Sequence, residues 1–188
     1  MELQFELPAF QYQLMGYPGL KQGEPLTVTL ESDVLLPDPA AISWFAVQKE
    51  PWPVRFEQIA PATYAFAGQI QAAELQHEDG AETALLLVQC GEIPLRVICA
   101  PTESGRLPFG TWETRFLTGV SRLYGLVEDD FHTAIGQSVD VTIWQFQRLV
   151  LTPGDAVFGQ WYETDRLTPT PYHYDRVLIQ GRLHRTRL

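Results

Sequence analysis

The chain has 188 residues, 45% of them hydrophobic and 12% aromatic, with 14 glycines and 14 prolines spread along it; a globular chain of this length buries roughly 70% of its unfolded surface and needs no disulfide or metal to hold it. Its net charge is −10 and the excess is one-sided, with 13 acids against 3 bases in residues 1–94 and 10 against 10 in residues 95–188. Arginine supplies 11 of the 13 bases, which leaves no lysine pattern for a phosphate loop or a Schiff base and none of the basic excess that marks nucleic-acid domains.

The first residues, MELQFELPAFQYQLM, have no basic start and alternate polar with apolar side chains, so they read as a strand and not as a signal peptide. No apolar run approaches the roughly 18 residues of a membrane span, and the expectation is a cytoplasmic protein with no membrane partner. Strand signals follow one another down the chain: LQFEL, LTVTL, ISWFAVQ, TYAFAGQIQ, TALLLVQ, IPLRVICA, RFLTGVSRLYGLV, VDVTIWQFQRLVL and DRVLIQGRLHR alternate or run apolar with β-branched and aromatic enrichment. Only IQAAELQHE and DDFHTAIG offer a turn or two of helix, and neither has a clear cap and stripe. The fold class is all-β.

TALLLVQCGEIPLRVICA predicts a hairpin turning at Gly91–Glu92, which sets Cys90 opposite Ile93 and Cys99 opposite Ala84. The two sulfurs then lie about 20 Å apart along the ladder, beyond the roughly 7 Å that a disulfide tolerates between Cα atoms. Two reduced thiols are expected, as in a reducing compartment.

RVICAPTESGRLPFGTWET at 96–114 returns in altered form as RLVLTPGDAVFGQWYET at 148–164, and VLLPDPAAISW, ending at Trp44, is a weaker echo. The spacing of the two good copies, about 50 residues, is one at which internal duplication builds repeat architectures. Each phrase precedes a strand with a central glycine, Gly68, Gly119 or Gly181, on a largely core-facing parity. Core-facing glycines mark bulges, bends or close approach, and aromatic rings cover them at barrel corners; Trp112 and Trp161 are the expected covers, buried over glycine backbone. The phrase therefore reads as scaffold. The expected architecture is antiparallel barrel or sandwich units of the OB kind in tandem, an acidic unit over 1–104 and a second over 105–188, with one larger barrel or a trefoil-like assembly as the alternative.

Three stretches are candidates for chemistry. EDDFH gathers Glu128, Asp129, Asp130 and His132, weak candidates for a divalent cation, at a spacing that fits no known metal loop and suits a solvated turn. YHYD sets His173 two residues from Asp175 after two prolines, but Ser121 lies inside a strand signal without the nucleophile-elbow pattern, so no catalytic set forms; Tyr172 and Tyr174 read instead as exposed aromatics of a binding loop. The terminal strand turns Val177, Ile179 and Leu183 inward and Gln180, Arg182 and His184 outward, with Arg185 and Arg187 trailing.

Arg122, Arg148, Arg166 and Arg176, with Trp144, Phe146, Tyr162, Tyr172 and Tyr174, have the composition on which single strands stack. The neutral charge of that half favours arginines paired with the acidic half instead. The expected function is a non-catalytic β module that binds a protein partner or self-associates through Arg182, His184, Arg185, Arg187, Tyr172 and Tyr174, with no cofactor and no nucleic acid. A single-stranded nucleic-acid binder and a metal-dependent hydrolase at EDDFH are the alternatives.

Overall fold

The computed structural model describes residues 1–8, 19–78, 81–101, 107, 116–127, 135–167 and 175–184. Among them there is no helix. The strands are β1 (Glu2–Leu7), β2 (Pro25–Leu35), β3 (Trp44–Gln48), β4 (Arg55–Ala60), β5 (Thr63–Glu78), β6 (Ala81–Cys90), β7 (Ile93–Cys99), β8 (Phe116–Leu126), β9 (Ser138–Leu149), β10 (Trp161–Thr164) and β11 (Arg176–Leu183). They form one large mixed sheet in the order β10-β9-β11-β1-β8-β2-β7-β6-β5-β4, with β3 on β8 and two further pairings, β9–β2 and β8–β5. No helix of the described residues is long and apolar enough to cross a membrane.

The additional pairings make the ladder return on itself twice, once through β2, β9, β11, β1 and β8, and once through β2, β7, β6, β5 and β8. The β2–β8 pair belongs to both circuits. Residues Pro25–Thr29 of β2 pair with β9, Thr29–Ser32 pair with Leu126–Leu123 of β8, and Glu31–Leu35 run parallel to β7. The sheet is continuous across the expected division near residue 104, which itself lies outside the described residues.

Changing partners along one strand breaks the register, and β2 carries such a break against β7 between Glu31 and Val34. Two buried serines satisfy the backbone there: Ser32 Oγ accepts from Ile98 N at 3.3 Å and donates to Asp33 O at 2.7 Å, while Ser121 Oγ accepts from Asp33 N at 2.9 Å and donates to Arg122 O at 2.8 Å. Buried backbone groups left unpaired would each cost roughly 1–3 kcal/mol.

One cluster of buried apolar side chains runs through both circuits, from Leu3, Phe5, Val141 and Phe146 to Phe66, Leu86, Val88 and Leu95. β8 passes through its middle in clean alternation, its buried face reading Leu117, Gly119, Ser121, Leu123, Gly125. The small residues on that face leave room for close neighbours. A Cβ on Gly119 would fall 2.4 Å from the Trp44 carbonyl oxygen and 2.9 Å from the Phe66 ring, and one on Gly125 would fall 2.3 Å from the Phe5 ring. Gly181 sits at the register break after Gln180, and a Cβ on Gly68 would fall 2.3 Å from the Gln89 carbonyl oxygen.

The aromatic covers are thus Phe66 and Phe5, which corrects the expectation for tryptophan. Trp161 is 46% exposed on β10, the last strand of the order; among the described residues β10 has one neighbouring strand and no second wall to bury its ring against. Trp112 lies outside the described residues. IQAAELQHE is likewise strand and not helix: its residues form the second half of β5, laddered to β6 from Ile70↔Val88 to Glu78↔Ala81, because long-range pairing overrides the helical preference of Ala, Glu, Leu and Gln.

The Cys90 and Cys99 positions match the ladder count, opposite Ile93 and Ala84, and both are buried free thiols. Gly91 makes the turn between them at φ 67°. Burial pushes the Cys90 thiol up to about 12 and raises Cys99 as well, so neither supplies a thiolate nucleophile at neutral pH.

Gly125→Ala and Gly119→Ala should each lose about 1–3 kcal/mol of stability by overpacking. Gly136→Ala is the control, since its Cβ would meet nothing nearer than 3.5 Å; it should stay within about 0.5 kcal/mol of the wild type in urea unfolding.

Candidate binding surface

Among the described residues, Arg96, Arg122, Arg176 and Arg182 of the second half face carboxylates of the first, whereas Arg148 and Arg166 pair within their own half, with Asp175 and Asp165. Arg96 Nε lies 2.5 Å from Glu31 Oε2, and Arg176 grips Glu6 through two bonds, Nε to Oε1 at 2.9 Å and Nη2 to Oε2 at 2.6 Å. Arg122 approaches the same Glu6 at 3.7 Å, and Arg182 lies 3.5 Å from Glu2. The Glu6 carboxylate raises the Arg176 pKa further above its ordinary value, chiefly through their hydrogen bonds.

A groove of about 360 Å³ opens beside these pairs where β1, β2, β7 and β8 meet, with Glu6, Glu31, Asp33 and Tyr124 in its wall. Burial pushes the Tyr124 hydroxyl up despite a hydrogen bond from Arg122. Its Glu6 and Glu31 are already held by Arg176 and Arg96, so this wall is part of the seam where the two circuits join.

Of the arginine and aromatic set, Trp144 and Tyr162 are exposed. Phe146 is fully buried, and Arg122, Arg148, Arg166 and Arg176 all face carboxylates. Of the proposed binding residues, Arg182 is 72% exposed in its pair with Glu2. His184 places Nε2 2.5 Å from Thr142 Oγ1 and donates its backbone N–H to Asp140 O. Arg185, Arg187, Tyr172 and Tyr174 lie outside the described residues, as do Glu128, Asp129, Asp130, His132 and His173. No group of three or more potential ligands for a metal comes together among the described residues.

Asp175 has a different role from the one its neighbour His173 suggested. Its side chain is fully buried and bonds Arg148 Nε through Oδ2, while Oδ1 accepts from Leu151 N at 2.6 Å, Thr152 N at 3.0 Å and Thr152 Oγ1 at 3.1 Å. Burial opposes its ionisation, but the donors of Leu151, Arg148 and Thr152 outweigh it and hold the carboxyl below its ordinary value.

That carboxylate clamps the base of the loop joining β9 to β10. Val150 N–H donates to Gln160 O at 3.1 Å and Gly159 N–H to Val150 O at 2.7 Å, closing a hairpin whose tip is ordered by Asp155 Oδ1 accepting from Val157 N. Gly154 and Gly159 take φ of 87° and 78° in its turns, a conformation open to glycine at no steric cost. The hydrogen-bonded loop turns Val157 and Phe158 outward, and β10 adds Trp161 and Tyr162, the last three being 55%, 46% and 56% exposed. The strand β10 produced no sequence signal, because four residues exposed on both faces have no apolar period; Tyr162 entered only as part of the arginine and aromatic set, and Trp161 reads as core.

No protein-family model, curated protein or solved structure matches the chain.

Because the Asp175 carboxyl has a lower pKa folded than its unfolded value of about 3.9, its contribution is complete above the unfolded value and fades as pH falls through the folded one. Asp175→Ala should cost about 3–5 kcal/mol at neutral pH, the usual loss when one partner of a buried pair is removed. The gap between variant and wild type should shrink at about pH 3, as chemical denaturation at both pH values would report; an undiminished gap would contradict the clamp.

Proposed function

We propose that the protein is a non-catalytic β module that holds an extended, basic segment of a partner protein against β10, and that its two ladder circuits are closed five-stranded barrels of the OB kind fused through the β2–β8 pair. Each circuit contains one parallel pairing, β1–β8 in one and β2–β7 in the other, which suits a five-stranded Greek-key barrel. The two copies of the repeated phrase begin on β7 and β9, one in each circuit and both neighbours of β2. An internal duplication accounts for that placement.

The observation that carries the binding reading is the braced hairpin. β10 pairs only with β9 among the described residues, and a strand edge is a template for another chain. Phe158, Trp161 and Tyr162 are of the residue types that anchor interfaces. The exposed acids Asp155, Glu163 and Asp165 outnumber Arg166 around them, and with a net charge of −10 they favour a basic partner over a second copy of the chain. Catalysis is disfavoured by two positive observations: the Asp175 oxygens are fully engaged by Arg148, Leu151 and Thr152, and both thiols are buried with raised pKa.

A short peptide of alternating valine and lysine tests this. It should slow amide exchange across Trp161–Thr164 and bind more weakly as salt rises, and Phe158→Ser with Trp161→Ser should weaken it by about tenfold, or 1.4 kcal/mol. Unchanged exchange at β10, equal binding of the glutamate counterpart, or occupation of the edge by a second copy would overturn the proposal.

A further inference from the structure

A second surface lies on β9, apart from the hairpin. Against β11 the register runs Phe146↔Ile179 and Gln145↔Gln180, then jumps to Ile143↔Gly181, so Trp144 is an extra residue with no partner opposite it. The bulge inverts the alternation of the strand. Val139, Val141 and Ile143 are buried before it and Phe146 after it, while Trp144 is turned out and 43% exposed. Bulges re-aim side chains in this way, and they are over-represented next to functional sites.

The ring borders a shallow pocket of about 170 Å³ whose other walls are Glu2, Leu3, Gln4, Gln58 and Gln180. Its amides are set in place by a chain of bonds. The buried Gln4 accepts at Oε1 from Gln58 Nε2 at 2.7 Å and from Ala62 N at 2.9 Å, and its Nε2 donates to Gln147 Oε1 at 3.2 Å. Gln58 Nε2 also donates to Ala60 O at 3.2 Å. Both of its N–H bonds are thereby engaged, and its carbonyl oxygen remains as an acceptor. The Gln180 amide has no protein hydrogen-bond partner among the described residues and offers donors and an acceptor together.

The lining selects a ligand class. It contains one carboxylate and no cation, and the nearby Arg182 is turned to that carboxylate, Glu2, so it does not suit a phosphate or any other anion. A fixed acceptor at Gln58 beside an amide at Gln180 that both donates and accepts matches hydroxyl groups, which do both. The negative face of an indole attracts the polarised C–H bonds of a ring laid flat on it. A few placed polar groups around one apolar wall are the usual make-up of a small-molecule site.

We infer that Trp144 and the Gln58 and Gln180 amides form a subsite for a neutral saccharide, one pyranose face stacked on the indole and its hydroxyls bonded to the amides and to Glu2. Binding of a single such subsite should be of about millimolar strength and only weakly dependent on salt, since the ligand carries no charge and the Glu2–Arg182 pair at the rim is exposed.

The test is a titration with neutral trisaccharides of glucose and of N-acetylglucosamine, followed by NMR at the Trp144 indole N–H and the Gln180 side-chain amide. At least one trisaccharide should shift both signals, Trp144→Ala should weaken it by about tenfold or more, and Gln180→Ala should weaken it while leaving the melting temperature in place. Phe158→Ser should leave it unchanged, which separates this site from the hairpin. No shift with either trisaccharide, a shift that survives Trp144→Ala, or the same signals moved instead by a proline-rich peptide or a single-stranded oligonucleotide would overturn the inference.

Discussion

The short antiparallel ladder between Thr29–Ser32 and Leu126–Leu123 constrains the rest of the molecule, because it is the one pair that both circuits need. β2 reaches it from β9 and leaves it beside β7, so it must slip register within a few residues. A slip inside a core strands backbone polar groups. Ser32 and Ser121 answer that requirement, each accepting one backbone N–H and donating to one carbonyl. Gly119 and Gly125 answer the steric one, clearing β8 for Trp44, Phe66 and Phe5. The buried apolar cluster runs without a break from Phe5 in one circuit to Phe66 in the other.

The charge asymmetry follows from the same seam. Arg122 and Arg176 converge on Glu6, while Arg96 meets Glu31. Arg96 is buried in its pair, while Arg122 and Arg176 are about a third exposed; such pairs return little net stability when intact, and losing a partner costs most where the remaining charge is buried. They therefore act chiefly to fix which strand lies beside which. The chain keeps a net charge of −10, and Asp155, Glu163 and Asp165 are exposed along the hairpin braced by Asp175.

Much of this was legible in the chain because it depends on local alternation. The period-2 pattern of RFLTGVSRLYGLV places Leu117, Gly119, Ser121 and Leu123 on one face, where the structure has them, and counting along one hairpin places both cysteines. The illegible parts are properties of pairs of strands far apart in sequence. Parity marks Gly119 as covered but cannot identify Phe66 as the cover, and the repeated tryptophans were the wrong candidates. The inversion at Trp144 exists only because β9 has one residue more than β11 across that stretch. β4 is exposed at nearly every position and β10 at most of its four, so neither has a hydrophobic period to read. Arg148 and Asp175 carry no mark in sequence to pair them, since the bond that joins them bridges a separation of 27 residues.

Native-state hydrogen exchange tests the shared ladder most directly. If β2–β8 joins both circuits into one cooperative unit, the amides of Leu30 and Leu123 in the seam, Val88 and Val97 in one circuit and Val141 and Ile179 in the other should all exchange with the same free energy and the same denaturant dependence, equal to those of global unfolding. A set of β5–β7 amides that opens at markedly lower free energy while β1, β9 and β11 stay protected would show two independent units and contradict the account.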